Sequence, residues 1–320
     1  MKKKLIIFAI LACISFGGCQ KTSGEMFAFK EMKASAGYTL DNQLTEADFF
    51  AKNLAIIDEQ KSFEEDINLT SEASLLINIT DNEVIHANHV YEKLYPASLT
   101  KLMTALVVLR YGELTDLVTI SYNASHITEY GAKLCGFKEG DIISLEALLN
   151  ALLIYSGNDA GIAIAEHIGG SEEGFAKMMN EEAKKIGAVH SNFVNSHGLH
   201  NENHYTTAYD LYLIFNQLVS YDTFLSIINT PTYTATYKDK NGKEIQKTFT
   251  TTNRYLNGKT DLIDGLEIIG GKTGTTFKAG NCLILLSKDK NAQYISLILK
   301  AADGDRLYTE MSQLLSAIHD

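Results

Sequence analysis

Near residue 230 the apolar residues of this chain change their spacing. Before it they recur every third or fourth position: Leu145, Leu148, Leu149, Leu152 and Leu153, then Ala160 to Ile168, where Gly169-Gly170 stops the pattern. Amphipathic helices follow over 172–186, ended by Gly187, and over 206–219. After it, Tyr233 to Tyr237 and Ile245 to Thr252 alternate on either side of Asn241-Gly242, a strong hairpin signal. Three apolar runs of strand length come next, 266–269, 282–286 and 294–299, and 305–318 reads as a closing amphipathic helix. Near the start, 73–79 reads as a strand that turns at 80–83 and returns over 84–87. An early strand pair, a helical middle and a late run of strands predict one α/β unit with a helical insertion.

Length and charge narrow the partners. The chain has 320 residues and a formal charge of -11, which becomes -14 without residues 1–18. So acidic a chain, with no basic stripe, is not built for nucleic acid. Lys2, Lys3 and Lys4 precede an apolar stretch, Leu5 to Phe16, too short to span a bilayer, which marks an export signal. Gly17-Gly18-Cys19 closes it in a way that resembles a bacterial lipoprotein signal, although Phe16 stands where such signals usually carry leucine. In that reading 1–18 are removed, Cys19 carries lipid, and the membrane holds the protein from outside the cell; the plainer reading is a secretory signal with a chance cysteine. The polar, acidic stretch 19–66 then reads as a membrane-proximal spacer with one apolar patch, 49–57, and 67–320 as the folded domain. Cys135 and Cys282 leave pairing open, with Cys282 placed as a buried free thiol in its apolar run.

Chemistry concentrates where Pro96 ends an extended segment and a helix follows. Pro96 moves Tyr95 out of the helical region, so Ser98 falls in the first turn with Lys101 one turn on. A serine hydroxyl needs a base, and a buried lysine with a lowered pKa can serve. S-x-x-K is a common accident, about one per chain of this size. Ser287 to Lys290 is such a decoy, ending in a charged turn. Two companions add weight. Tyr155-Ser156-Gly157-Asn158-Asp159 interrupts the helical stretch with polar groups, and Gly270-Gly271-Lys272-Thr273-Gly274-Thr275-Thr276 follows a strand with a cation, hydroxyls and close-approach glycines. The glycine-rich segment lacks the spacing of a phosphate-binding loop.

S-x-x-K, S-x-N and K-T-G in this order resemble the low-molecular-mass penicillin-binding proteins, the serine-type D-alanyl-D-alanine carboxypeptidases related to serine β-lactamases. The likeness runs from about 67 to 318 and includes Phe193 to Leu199 and Tyr205 to Asp210. It implies a β-lactamase/DD-peptidase-like α/β (α+β) fold: an antiparallel sheet flanked by helices, with an all-helical subdomain. It implies that Ser98 attacks the bond between two terminal D-alanines of a peptidoglycan stem peptide, with Lys101 as base. Ser156 would relay a proton to the leaving D-alanine, and Asn158 would hold the substrate amide and position Lys101. Lys272 would keep Lys101 partly neutral and attract the terminal carboxylate, Thr273 would bond it, and Gly274 and Thr275 would also belong to the substrate-binding segment. The N–H groups of Ser98 and Thr275 would form the oxyanion hole. β-Lactams would acylate Ser98, and no metal or organic cofactor is implied. Many members carry a second β-rich domain and a C-terminal amphipathic anchor; here a lipid on Cys19 would replace that anchor.

Three alternatives remain. A β-lactamase would need Glu-x-x-x-Asn after S-x-N, which 159–232 lacks. A zinc peptidase would use the crowded His190, His197, His200 and His204, with His197 and His200 at ligand-like spacing, but no matching acid set accompanies them. A non-catalytic β-lactam or muropeptide sensor would keep the fold without turnover.

Overall fold

The computed structural model describes residues 54–57 and 69–319. The chain divides into two units, 1–48 and 49–320, and every described residue belongs to the second. The export signal, Cys19 and most of the expected spacer lie outside the described residues.

Nine strands and eight helices follow one another among the described residues. They run β1 (Ala73–Asn78), β2 (Glu83–Asn88), α1 (Thr100–Tyr111), β3 (Leu117–Thr119), α2 (Tyr122–Ser125), β4 (Ile142–Ser144), α3 (Leu145–Asn150), α4 (Asn158–Gly169) and α5 (Glu172–Lys185). Then come α6 (Ala208–Val219), α7 (Asp222–Ile228), β5 (Thr232–Lys238), β6 (Glu244–Thr250), β7 (Glu267–Thr276), β8 (Gly280–Asp289), β9 (Ala292–Ala301) and α8 (Gly304–Ser316).

The main sheet has the order β2-β1-β9-β8-β7, antiparallel throughout. Its inner strands are apolar without alternation because both faces are covered. Leu75 and Ile77 of β1 face one core with α1 and α3 to α6; Leu76 between them faces a second core with Leu307, Met311 and Leu314 of α8. β7 is an edge strand, and the turn Ala97–Leu99 packs beside it. α1 is buried over Thr100 to Val108, so polar Lys101 enters the interior as part of a central helix rather than a surface one.

The helical part is not purely helical, which corrects the expectation of an all-helical subdomain. A second antiparallel sheet, β3-β4-β5-β6, lies within it. β3 and β4 have three residues each, too few for alternation to show, and β4 meets β5 through one pair, Ile142 with Lys238. The β5–β6 loop spans five residues, not two: Asp239 Oδ1 accepts N–H bonds from Asn241 and Lys243, which widens the turn around Gly242.

Four residues of the expected spacer belong to the folded domain. Ala55 and Ile57 are buried, and three tyrosine hydroxyls clamp their backbone. Ala55 N donates to Tyr212 Oη, Tyr209 Oη donates to Ala55 O, and Tyr91 Oη donates to Ile57 O.

Candidate active site

Pro96 is followed by a tight 3-10 turn, Ala97–Leu99, and α1 begins one residue later, so Ser98 precedes the helix and Lys101 lies in its first turn. Ala97 has φ +47°, uncommon for a residue with a Cβ. Its surroundings impose it. Gly198, at φ +84°, lies so close that a Cβ there would be 1.9 Å from Ala97 O. On the other side, a Cβ on Gly274 would stand 3.0 Å from both Pro96 O and Ser98 N. Two glycines thus wedge the serine turn between the 195–200 loop and β7.

Lys101 Nζ lies 2.7 Å from Asn158 Oδ1, 2.5 Å from His197 O and 3.0 Å from Ser98 Oγ. A neutral amine has two N–H donors and one lone pair. Asn158 and His197 take the two donors, which leaves the lone pair for the Ser98 hydroxyl. The protonation state fits: burial lowers the Lys101 pKa to about 7, opposed by Cys135 and Asp159 and assisted by the Lys133 charge. Lys272, to which the sequence reading gave the task of keeping Lys101 neutral, is itself held well below the usual lysine range by burial and by the charges of Lys101 and Lys133. Burial and Lys133 therefore act on Lys101.

Asn158 reaches Lys101 because the chain breaks there. α3 loosens into a π-helical turn, Ala151–Tyr155, Ser156 takes a left-handed conformation at φ +73°, and α4 starts at Asn158. Gly157 is required, since a Cβ would meet Cys135 Sγ at 2.2 Å. Asp159 carries the next loop. Its carboxylate accepts N–H bonds from Cys135, Gly136 and Phe137 at 2.9, 2.7 and 3.3 Å. Asn158 N donates to Lys133 O at 2.8 Å, and Lys133 Nζ sits 4.2 Å above the Tyr155 ring.

These pieces meet in one cleft of about 390 Å³, lined by Ser98, Ser156, Asn158, Thr273, Gly274 and Thr275 together with Lys133, Arg254, Thr252, Asn281 and Tyr308. Lys272, within β7, is buried and donates to Thr273 O instead of lining the opening. The strand continues through K-T-G to Thr276 rather than ending at 269. Thr273 Oγ1 is 2.6 Å from Thr252 Oγ1. Sequence reasoning missed Lys133 and Arg254, which lie in irregular segments without a spacing signal. Arg254 pairs with Asp305 at 2.6 Å.

The crowded histidines have separate tasks. His204 is buried against Thr100 Oγ1 and Val194 N, and burial lowers its pKa to about 3, so it is neutral. His197 Nδ1 accepts from Leu199 N, His200 meets the Tyr95 ring edge-on, and His190 lies half-exposed near Asp210. Cys135 and Cys282 are both buried and free.

Residues 59–303 match the family described as D-alanyl-D-alanine carboxypeptidase, peptidase S11. The carboxypeptidase DacF of Bacillus subtilis is 30% identical over 252 residues, 77% of this chain and 61% of that protein. DacC of Escherichia coli is 31% identical over 257 residues, 78% and 61%. The chain spans about three fifths of the length of these relatives. Among solved structures, the Streptomyces K15 DD-transpeptidase superposes with a TM-score of 0.72 at 25% identity, covering 78% of this chain and 97% of that one. Penicillin binding protein 6B from Escherichia coli gives 0.68 at 28%, covering 78% and 77%. The wedged serine, the lysine half-stripped of its charge and the K-T-G edge strand thus sit in a chain that belongs to the D-alanyl-D-alanine carboxypeptidase family, peptidase S11.

Proposed function

We propose that this chain is a serine-type D-Ala-D-Ala carboxypeptidase that removes the terminal D-alanine from peptidoglycan stem peptides and is acylated by β-lactams. The observation that carries the reading is the buried Lys101 Nζ, fixed 2.7 Å from Asn158 Oδ1 and 2.5 Å from His197 O and lying 3.0 Å from Ser98 Oγ. In this mechanism Lys101 takes the hydroxyl proton as Ser98 Oγ bonds to the carbonyl carbon between the two D-alanines. The carbonyl oxygen becomes an oxyanion held by the N–H groups of Ser98 and Thr275; one such donor contributes about 3 kcal/mol. The proton passes through Ser156 to the leaving amine, the C–N bond breaks, and D-alanine departs. Water, deprotonated by Lys101, then cleaves the Ser98 ester and releases the shortened peptide.

The edge of β7 suits an extended peptide, which can pair with its free backbone groups. Thr273 and its partner Thr252 offer hydroxyls to the terminal carboxylate, and Arg254 supplies the cation that the sequence reading gave to Lys272. Among the described residues the cleft lining carries no carboxylate, so fast hydrolysis of a penicilloyl ester lacks the glutamate base of a β-lactamase. The protein is placed outside the cytoplasmic membrane, held by lipid on Cys19; Lys2 to Lys4, the apolar stretch to Phe16 and Gly17-Gly18-Cys19 support that placement.

Mass spectrometry after penicillin treatment tests the reading. One adduct on Ser98, long-lived and absent in Ser98→Ala, is expected, with D-alanine release lost by at least a thousandfold in the variant. Normal release by Ser98→Ala, or rapid steady-state penicillin hydrolysis by the native chain, overturns it.

A further inference from the structure

Among the described residues, two fully exposed aromatic side chains adjoin residues that line the cleft. Tyr130 is 103% and Phe277 99% exposed, the two highest values among the exposed large apolar side chains. Their sequence neighbours Gly131 and Thr276 both line the cleft. They belong to different segments: Tyr130 to the loop that Asp159 folds onto the Ser156 turn, Phe277 to the residues just after β7.

Both rings are held outward by closed turns. Ala132 N donates to Glu129 O, and Gly131 takes φ +81°, which puts Tyr130 at the first corner of a turn whose second corner requires a left-handed residue. Ala279 N donates to Thr276 Oγ1 at 3.0 Å, and Gly280 takes φ +63°, which puts Phe277 at the corner between β7 and β8. Neither ring contributes to a core. A Tyr or Phe left in water forgoes the burial of a large apolar surface, and aromatic rings with one apolar face suit contact with a partner.

We propose that Tyr130 and Phe277 form an outer subsite that stacks on the sugar rings of the glycan strand to which the stem peptide is joined, so that polymeric peptidoglycan is the preferred substrate. This rests on the carboxypeptidase reading of the cleft. The peptide lies along β7; the sugars that carry it reach the rim. The C–H faces of an amino-sugar ring are apolar and its ring bears no charge, which suits an aromatic platform on a chain of net charge -11. The same charge opposes the other surface that exposed aromatics could enter, an anionic bilayer.

The experiment uses the full chain and its Tyr130→Ser, Phe277→Ser and doubly substituted variants. D-Alanine release is measured from a soluble peptide ending in D-Ala-D-Ala and from insoluble, pentapeptide-bearing peptidoglycan; co-sedimentation with that peptidoglycan is measured separately. The double variant is expected to match the parent within twofold on the soluble peptide, to fall at least fivefold on the polymer, and to lose most of its sedimentation. Tyr130→Phe is expected to restore both polymer readouts. Equal rates and equal sedimentation of parent and variant on the polymer overturn the proposal, as does an equal loss on both substrates. Loss confined to binding of anionic phospholipid vesicles overturns it in favour of a bilayer contact. Sedimentation does not depend on turnover, so a parent that releases no D-alanine removes the carboxypeptidase reading while the rim is still judged by binding.

Discussion

Lys101 shows how burial can bring one amine close to neutrality inside a protein. An ordinary lysine at neutral pH has no lone pair to give; burial at the start of α1 removes that obstacle, and the fixed acceptors Asn158 Oδ1 and His197 O orient what remains. Activity on a D-Ala-D-Ala peptide is therefore expected to rise through about pH 7, as Lys101 loses its proton. Lys133 pushes that pKa down by repulsion, so Lys133→Met lets Lys101 keep its proton to higher pH. The acidic limb of kcat/KM should shift upward in pH, with the plateau nearly retained; an unmoved limb would remove Lys133 from this role. The proximity of Ser98 and Lys101 was legible because they are three residues apart where a helix starts. Lys133 was not, because it acts through space from an irregular loop whose position depends on Asp159, an interaction across more than twenty residues.

At the scale of elements, β7 does two jobs. It closes the sheet and it forms one wall of the cleft, and Gly274 permits the second by letting the serine turn approach. Gly274→Ala puts a methyl group 3.0 Å from Pro96 O and Ser98 N, closer than such contacts tolerate. Penicillin acylation should slow at least tenfold, while thermal unfolding shifts by only a few degrees, a cost of about 1–2 kcal/mol. Long elements were readable: β8 and β9 announce themselves as apolar runs because α8 covers one face and the main core the other. β3 and β4 were not, since three residues hold no period. The β5–β6 loop misled for a local reason, as the Asp239 side chain captured two backbone N–H groups that a two-residue turn would have left to the strands.

Over the whole molecule, the described chain ties its late part to its early part. Glu310 of α8 is fully buried and accepts from Thr70 N and Oγ1, Ser71 N and Arg306 Nε. Burial alone would raise its pKa, but these donors outweigh burial and lower it. A carboxylate lowered in the fold stabilises above its ordinary pKa of about 4.5 and loses that contribution as pH falls through the folded value. Glu310→Gln should cost about 1–3 kcal/mol at pH 7 by urea unfolding, and the gap from the parent should narrow by pH 3. Such ties span the sequence and leave no local pattern. The same holds for Ala55 and Ile57, clamped by tyrosines far along the chain and so assigned by sequence to a spacer.

Neither buried thiol has found the other. Cys135 is sealed behind Gly157, Cys282 lies within β8, and no oxidant enters the construction of the described domain. The described domain therefore holds its shape by packing and hydrogen bonds, without a covalent cross-link between its two thiols.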